Sequence, residues 1–388
     1  MVVTKWKKNY HSLSEVRKEL HVDWYRCPIE SATLRELSKR SDLQGWFQAG
    51  GQLTLFIFTA TLSYYFWQLK NWPILVITIF AHGTIGSFFS GVAPHELGHG
   101  TVFKTKWLNK FFMYLFSRLS WWDPFDYATS HTYHHRYTQY VDGDRENVFP
   151  LEPNVGISFL FQIFTINIFS RPGRSFGKGG LIYTIYLTFR SAMGKVGSVK
   201  IPSQEWLQAL HNDQPRQHRK SVWWSRVQLI FHGSILVYSI LTKQWIFLFL
   251  LNFFSFTANW LGYFVGMTKH CGLQGNVSDF RKCVRSIRIN PVISFLYWRM
   301  NWHTEHHMYA GVPCYNLKKL SQIIADDMPQ PRTLLDAWRE MLEIQKKQMK
   351  DPTYQFDTPL PASANQKSIK NSDELGDSIG ELAPAGLE

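Results

Sequence analysis

The chain has few cysteines, and they form no cluster. Among 388 residues the four cysteines are Cys27, Cys271, Cys283 and Cys314, and no two of them have Cys-x-x-Cys spacing. This pattern argues against a disulfide framework and against a thiolate metal site, including an iron-sulfur cluster. We therefore expect a reducing, cytosol-facing environment.

Acidic residues are outnumbered, and the N-terminal residues lack the apolar core of a signal peptide. Membrane insertion is therefore expected to use internal segments. The 29 Asp and Glu face 42 Lys and Arg, which gives a formal net charge of +13. That charge suits either nucleic acid or an anionic membrane surface. Because no nucleic-acid motif accompanies it, we predict a lipid bilayer as partner and no nucleic acid.

Long apolar runs are present, and they come in pairs. The runs cover residues 52–69, 73–92, 222–241 and 245–266. Each is close to the roughly 20 residues that a helix needs to cross a bilayer. Since only three residues join the two members of each pair, each pair predicts a helical hairpin. We predict an all-α integral membrane protein with four transmembrane helices in two hairpins and a cytosolic helical cap.

The segments outside these runs carry nearly all of the Lys and Arg, so the positive-inside rule places both termini and the cap in the cytosol. We predict four segments. These are a basic cytosolic N-terminal segment (1–50), a membrane domain with a metal-binding cap (51–330), a C-terminal helix (331–350) and a disordered tail rich in Pro, Ser, Asp and Glu (351–388).

Histidines concentrate in three short motifs, HELGH, HTYHH and HTEHH. The motifs supply His95, His99, His131, His134, His135, His303, His306 and His307. On a helix, positions i, i+3 and i+4 share one face, so the imidazoles of a motif converge. Imidazole is the commonest metal ligand, and such a site suits iron, copper, nickel or zinc.

Topology supports the metal site independently, because all three motifs fall on the cytosolic side of the predicted hairpins. A ninth ligand, His270, follows the last apolar run and lies at the same predicted depth. His82 and His232 lie inside apolar runs, where a bond to a neighbouring helix explains them as well as a functional role does. We leave both out of the predicted ligand set.

The three motifs, in this order and on one face of two hairpins, resemble the histidine boxes of the membrane fatty acid desaturase and hydroxylase superfamily over residues 45–330. The sequence HCGL at His270 resembles an additional motif of the alkane hydroxylase branch. The resemblance implies two iron ions held by the nine histidines, with O2 as co-substrate, and oxidation of an aliphatic C–H bond. Such an enzyme resides in the bacterial inner membrane or the endoplasmic reticulum.

Three activities remain open at this point. The first is desaturation or hydroxylation of a fatty acyl lipid or similar amphipathic substrate. The second is an alkane-hydroxylase-like monooxygenase or oxidative demethylase that acts on a small substrate. The third follows from His95-Glu96-x-x-His99, which matches the HExxH signature of zinc proteases, although a mononuclear zinc site would leave the other two motifs without a role.

Metal-bound histidines usually donate their second ring N–H to a carboxylate or carbonyl. Four acidic residues near the motifs are predicted to accept such bonds, namely Glu96, Asp126, Asp144 and Glu305. No cytochrome b5 heme motif is present, so electrons are expected from a separate protein: a ferredoxin, a Rieske protein or cytochrome b5. The basic run 281–285 is a candidate docking patch for that carrier, or a contact for anionic lipid.

Overall fold

The computed structural model describes residues 10–147, 151–173 and 177–364. Within them the predicted all-helical architecture is confirmed, apart from two short parallel strands, β1 Ile287–Arg288 and β2 Arg332–Thr333. The α-helices of the described residues are α1 Leu13–Glu19, α2 Ser31–Leu37, α3 Asp42–Gly45, α4 Gly51–Gln68, α5 Trp72–Gly86, α6 Ala93–Gly98, α7 Lys106–Leu119, α8 Pro124–Tyr137, α9 Ile157–Phe164, α10 Leu181–Ala192, α11 Pro202–Asp213, α12 Pro215–Thr242, α13 Trp260–Gly266, α14 Phe280–Cys283, α15 Pro291–Leu296, α16 His303–Met308, α17 Leu317–Ile323 and α18 Leu334–Lys350.

Helices α4 and α5 form the first predicted hairpin. Lys70 ends the turn between them in the left-handed region, with φ of 54°. Asn71 then caps α5 by accepting the backbone N–H of Ile74 at 3.4 Å, and Pro73 occupies the first turn, where a missing N–H costs nothing. A π-helical turn, Trp46–Gly50, extends α4 at its N-terminal end.

Among the described residues, one helical segment, Trp72–Gly98, is long and apolar enough to cross a membrane. It consists of α5, a 3-10 turn at Ser87–Phe89 and α6, with a left-handed Gly91 (φ 74°) before α6. The predicted four-helix membrane topology is therefore not confirmed by helix length and hydropathy, and it stays a prediction.

The fourth predicted span, residues 245–266, is not a single helix. It contains a π-helical turn Leu248–Asn252, a 3-10 turn Phe254–Phe256 and α13. Between the 3-10 turn and α13, Ala258 is left-handed (φ 47°), and its N–H donates to Thr165 O at 2.8 Å. The prediction of one helix was wrong because this backbone pairs with a segment distant in sequence.

The main core lies beneath the three histidine motifs and is rich in phenylalanine. Phe88, Phe89, Phe103 and Phe116 have no exposed surface, and Trp298 is equally buried beside them. Aromatic side chains bury large areas, so they fix the positions of the short helices that they contact. The motif helices α6 and α16 contribute residues to this core, whereas Tyr133 and Tyr137 of α8 pack in a second, smaller one.

Both ends of the described chain pack against the domain. Near the N-terminus, Cys27 and Leu34 belong to the main core. At the other end, Lys282 Nζ donates to Thr358 O at 2.9 Å, and Ser363 Oγ donates to Asp326 O at 2.6 Å. Residues 351–364 of the predicted tail therefore contact the domain, whereas residues 365–388 lie outside the described part of the chain.

Candidate metal centre

The nine predicted histidines meet in two buried groups. One group contains His95, His99, His131, His135 and His306, and the other contains His134, His270, His303 and His307. Within each group, one nitrogen from every imidazole lies within 4.8 Å of those of the other members. The two groups are neighbours, since the rings of His135 and His307 stack with their centroids 4.4 Å apart.

The motifs divide between the groups in a regular way. In HTYHH, His131 and His135 enter the five-histidine group, while His134 enters the four-histidine group. In HTEHH the division is reversed, because His303 and His307 enter the four-histidine group and His306 the other. Residues four apart on a helix point the same way, and the residue between them points to one side. Each of these motifs therefore joins both groups.

Helix α8 is positioned by its own N-terminal sequence. The Asp123 carboxylate accepts the backbone N–H of Phe125 at 2.9 Å and that of Asp126 at 3.1 Å, and Pro124 fills the first helical position. A carboxylate cap of this kind satisfies N–H groups that the helix leaves unpaired. At its C-terminal end the chain turns sharply at Gln139, with φ of 61°.

Carboxylates fix the outer nitrogen of three histidines. The Nδ1 atom of His134 lies 2.9 Å from Asp144, that of His95 lies 2.8 Å from Glu96, and that of His131 lies 3.3 Å from Glu146. With the carboxylate ionised and the ring neutral, the carboxylate only accepts, so Nδ1 carries the proton. The Nε2 atoms are then unprotonated lone pairs facing the groups.

The four-histidine group gives the same result through uncharged acceptors. His270 Nδ1 donates to Cys283 O at 3.2 Å. The Thr138 hydroxyl donates to His134 O at 2.7 Å, so it accepts from His307 Nδ1 at 3.1 Å. Both rings therefore turn an unprotonated Nε2 toward His303 Nε2, at 3.0 and 3.2 Å.

Some of these inward-facing nitrogens have no hydrogen-bond partner among the described protein groups. The Nε2 atoms of His95 and His131 are buried and have no hydrogen-bond partner among the described residues. Burial lowers the pKa of His131, His303 and His307 well below its usual range, which keeps the rings neutral. Buried lone pairs that converge without donors are costly unless a cation satisfies them. This donor set fits two metal ions.

Two of the four predicted carboxylates contact the histidines. Glu96 and Asp144 do so as described above, and Glu96 also approaches His306 Nδ1 at 3.5 Å. Asp126 instead pairs with His211, and Glu305 accepts from Ser286 at 2.5 Å. These two assignments find no support in the described contacts. Sequence spacing could not separate them, because Asp126 faces away from the histidines on α8.

Three residues near the groups were not predicted from the sequence. Glu146 binds His131, and its other oxygen accepts from Ser130 Oγ at 2.8 Å. Gln139 Nε2 donates to His270 O at 3.3 Å, which links α8 to the loop that carries His270. Lys269 lies close enough to Glu96 and Glu146 that both raise its pKa, although burial lowers it overall. Glu146 follows Asp144 in one acidic loop, and this adjacency is the available sequence signal.

Comparison with known proteins agrees with this geometry. The family model for fatty acid desaturases matches residues 70–337, which include all nine histidines. The chain belongs to the fatty acid desaturase family. It is 35% identical over 90 residues to the Delta-9 acyl-lipid desaturase 1 of Arabidopsis thaliana, a match over 23% of this chain and 27% of that relative. It is 26% identical over 278 residues to the sn-1 acyl-lipid omega-3 desaturase (ferredoxin) of Nostoc sp., over 66% of this chain and 68% of the relative.

Family membership and geometry together weaken the zinc protease alternative. A mononuclear catalytic zinc site uses three protein ligands. In this desaturase family member, His95 and His99 share their group with three further histidines. The Glu96 carboxylate, which would act as the general base of a protease, instead accepts a hydrogen bond from the ring of its neighbour His95.

The two histidines left out of the ligand set have structural partners. His82 contacts Thr59 Oγ1 and Leu250 O, both at 3.0 Å. His232 contacts Asn252 Oδ1 at 2.9 Å and Arg118 O at 3.1 Å. Because both ring nitrogens of each are occupied by protein groups, neither histidine has an atom left for a metal.

The candidate docking patch at residues 281–285 has an internal role. Arg281 and Arg285 are each 2% exposed. Arg281 pairs with Asp279 and Asp327, and Arg285 pairs with Glu340 at 2.7 Å. Lys282 pairs with Asp357. The patch interpretation was wrong because these charges are paired within the chain.

Proposed function

We propose that the chain is a membrane-bound desaturase that introduces a double bond into the acyl chain of a lipid, with two iron ions held by the nine histidines. The observation that carries the proposal is the pair of buried groups, each lined by unprotonated ring nitrogens. Imidazole ligands suit iron, and two adjacent groups suit a two-metal site. The names of the two relatives support an acyl lipid as substrate class.

Bound iron would supply the oxidising power that no amino-acid side chain has, drawing on O2 and two electrons from a separate carrier. The reaction balances when one hydrogen leaves each of two adjacent carbons. Together with two electrons from the carrier and two protons, these two hydrogens reduce one O2 to two waters. The protein residues orient the histidine rings and shield the metal centre from water. Asp144, Glu146 and Glu96 hold three rings, and burial of the histidines excludes bulk water.

A bilayer location draws support from the outer surfaces of the longest helices. Val76 and Ile77 on α5 are 66% and 65% exposed, and Phe58 on α4 and Ile230 on α12 are exposed as well. A soluble protein rarely presents such large apolar side chains together, whereas lipid tails would cover them. The proposed topology places the metal centre and both termini on the cytosolic side.

The proposed electron donor is a separate small carrier protein. The Nostoc relative is named as a ferredoxin-dependent enzyme, and we propose a ferredoxin as the first candidate, with a Rieske protein or cytochrome b5 as the others. Because the 281–285 run is internally paired, docking would have to use other basic residues of the cytosolic face.

The test uses purified full-length protein with ferredoxin, its reductase and NADPH. We expect about two irons per chain and new double bonds in supplied diacyl lipids, detected by mass spectrometry. His303→Ala is expected to abolish both, while the exposed-site control His21→Ala retains them. Hydroxylated product that carries label from 18O2 would instead establish a hydroxylase. About one zinc per chain, indifferent to His303, would refute the di-iron proposal.

A further inference from the structure

A cavity of about 170 Å³ lies beside helix α8 of the metal centre, and several polar side chains stand in a lining that is otherwise mostly apolar. It is bounded by the connection between α7 and α8, the start of α11 and the interrupted fourth predicted span. Residues that line it include Asp123, Asp126, Lys178, Ser203, Ser255 and Asn259. At roughly 30 Å³ per water molecule, the space is that of about six waters, enough for a small polar group.

Hydrogen-bonding groups of this cavity are left without partners. The Ser203 and Ser255 side chains are 3% and 8% exposed, yet neither Oγ has a hydrogen-bond partner in the described residues. The buried Asn259 Oδ1 atom also has no hydrogen-bond partner in the described residues. Buried polar atoms of this kind are usually satisfied by protein, water or ligand. Three of them lining one cavity indicate that something polar occupies it.

Among the described residues, the charges around the cavity balance. Asp126 pairs with His211 at 2.8 Å, and Ser221 Oγ contacts both Asp123 and Asp126, at 2.7 and 2.8 Å. Lys178 supplies a second positive charge that both carboxylates stabilise, against a burial effect that lowers its pKa. Two anions thus face two cations. A phosphate would meet both carboxylates, and a quaternary ammonium would meet Lys178 without gaining a hydrogen bond.

A neutral hydroxylated group matches this lining best. Each hydroxyl both donates and accepts, so it satisfies carboxylate and amide oxygens as well as ammonium and serine donors. We infer that the cavity binds a neutral polyol, such as a glycosyl or glycerol group. The inference rests on the proposed function where it assigns that polyol to the head group of the lipid substrate, and a free soluble sugar would offer the same chemistry.

The cavity is close enough to the metal centre for a head group held there to orient a substrate. Asp126 lies five residues before His131 on α8, a rise of about 7.5 Å along the helix. Aromatic rings fill the space between them. Trp122, which lines the cavity, packs edge-on against Tyr127, and Tyr127 stacks on His131 with ring centroids 5.1 Å apart. The site of oxidation would then lie near the polar end of the lipid.

The test is ligand-dependent thermal stability of the full-length protein as purified, without ferredoxin or NADPH, in a detergent without a sugar head group. Probes are glucosyl-diacylglycerol, free glucose, and phosphatidic acid and phosphatidylcholine with the same acyl chains, because neither phospholipid carries a polyol head group. Variants are the double substitution of Ser203→Ala with Ser255→Ala, and Ser234→Ala as control, because the Ser234 hydroxyl donates to Phe231 O on an exposed part of α12. Because no electron donor is present, binding is measured without turnover, so the two proposals fail independently.

We expect glucosyl-diacylglycerol to raise the unfolding temperature in a saturable way. The double variant should need at least about tenfold more lipid, a loss of about 1.4 kcal/mol, while Ser234→Ala matches the wild type. Without ligand, the double variant should be as stable as the wild type, because it removes unpaired hydroxyls. An effect of free glucose alone would assign the cavity to a soluble polyol. Equal stabilisation by the phospholipids, or unchanged binding by the double variant, would overturn the inference.

Discussion

The Asp144 carboxylate holds His134 through a contact of 2.9 Å between Oδ2 and Nδ1. The same oxygen accepts the backbone N–H of Gln139 at 2.9 Å, and Oδ1 accepts that of Glu146 at 3.0 Å. One side chain therefore orients a ring of the four-histidine group and shapes the loop that presents Glu146 to the five-histidine group. Asp144 links the two groups through the protein.

Asp144→Asn should weaken metal retention about 10- to 100-fold, the usual effect of losing a carboxylate behind a metal-bound histidine. An amide has one acceptor oxygen, so at least one of the three donors would face its NH2 group. The measurement is iron retained against increasing chelator concentration. Asp357→Asn is the control, since Asp357 is a largely exposed partner of Lys282. Equal iron retention by the wild type and Asp144→Asn would contradict the role given to Asp144.

Thr138→Val should weaken metal retention because it removes the acceptor for His307 Nδ1 without changing the side-chain shape. His307 could then adopt the other tautomer and turn a protonated Nε2 inward. We expect at least about a tenfold loss of affinity. Thr132→Val is the matched control, since Thr132 lies on α8, which ends just before Thr138, is also buried, and donates to Ala128 O. Titration of iron into metal-free protein measures both variants, and similar affinities for the two would show that Thr138 has no such role.

The motif helices were predictable because the spacing i, i+3, i+4 is a local property of the chain. The division of the histidines was not predictable. His134 joins a different group from His131 and His135, and this depends on which helices pack on each side of α8. The roles of Asp126 and Glu146 likewise depend on packing, because α11 brings His211 to Asp126 and a loop brings Glu146 to His131.

The fourth predicted span shows the limit of hydropathy. Residues 245–266 are apolar enough to suggest one helix, but hydropathy does not register that Thr257 pairs with Ile166 or that Asn252 bonds to His232. These contacts join segments about ninety and twenty residues apart in sequence, respectively. The polar residues Asn252, Thr257 and Asn259 within this run were the available sequence signal for an interruption.

The pair of His211 and Asp126 should make stability depend on pH. Burial lowers the pKa of His211, but the Asp126 carboxylate outweighs burial and holds that pKa above its ordinary value. The stabilisation is therefore complete below about pH 6.5 and is lost as the pH rises through the folded-state pKa. His211→Gln should lower the unfolding temperature most near pH 6, and the difference from the wild type should shrink toward about pH 9. Thermal unfolding at several pH values measures this, with exposed His21→Gln as control. A difference that grows with pH would refute the assignment.

Gly83→Ala should destabilise the protein, although alanine is the better helix former by about 1 kcal/mol. A Cβ atom at Gly83 would overlap the carbonyl group of Thr257, which belongs to backbone and has little freedom to move away. Helix α5 would be pushed away from the non-helical backbone at Thr257. Helix α6, which carries His95 and precedes His99, would move with it. Gly233→Ala is the matched control, because it lies inside α12 with no atom within 4 Å of the added Cβ. We expect the control to raise the unfolding temperature slightly and Gly83→Ala to lower both that temperature and iron retention. If both substitutions stabilise the protein, the close approach of α5 to Thr257 does not occur.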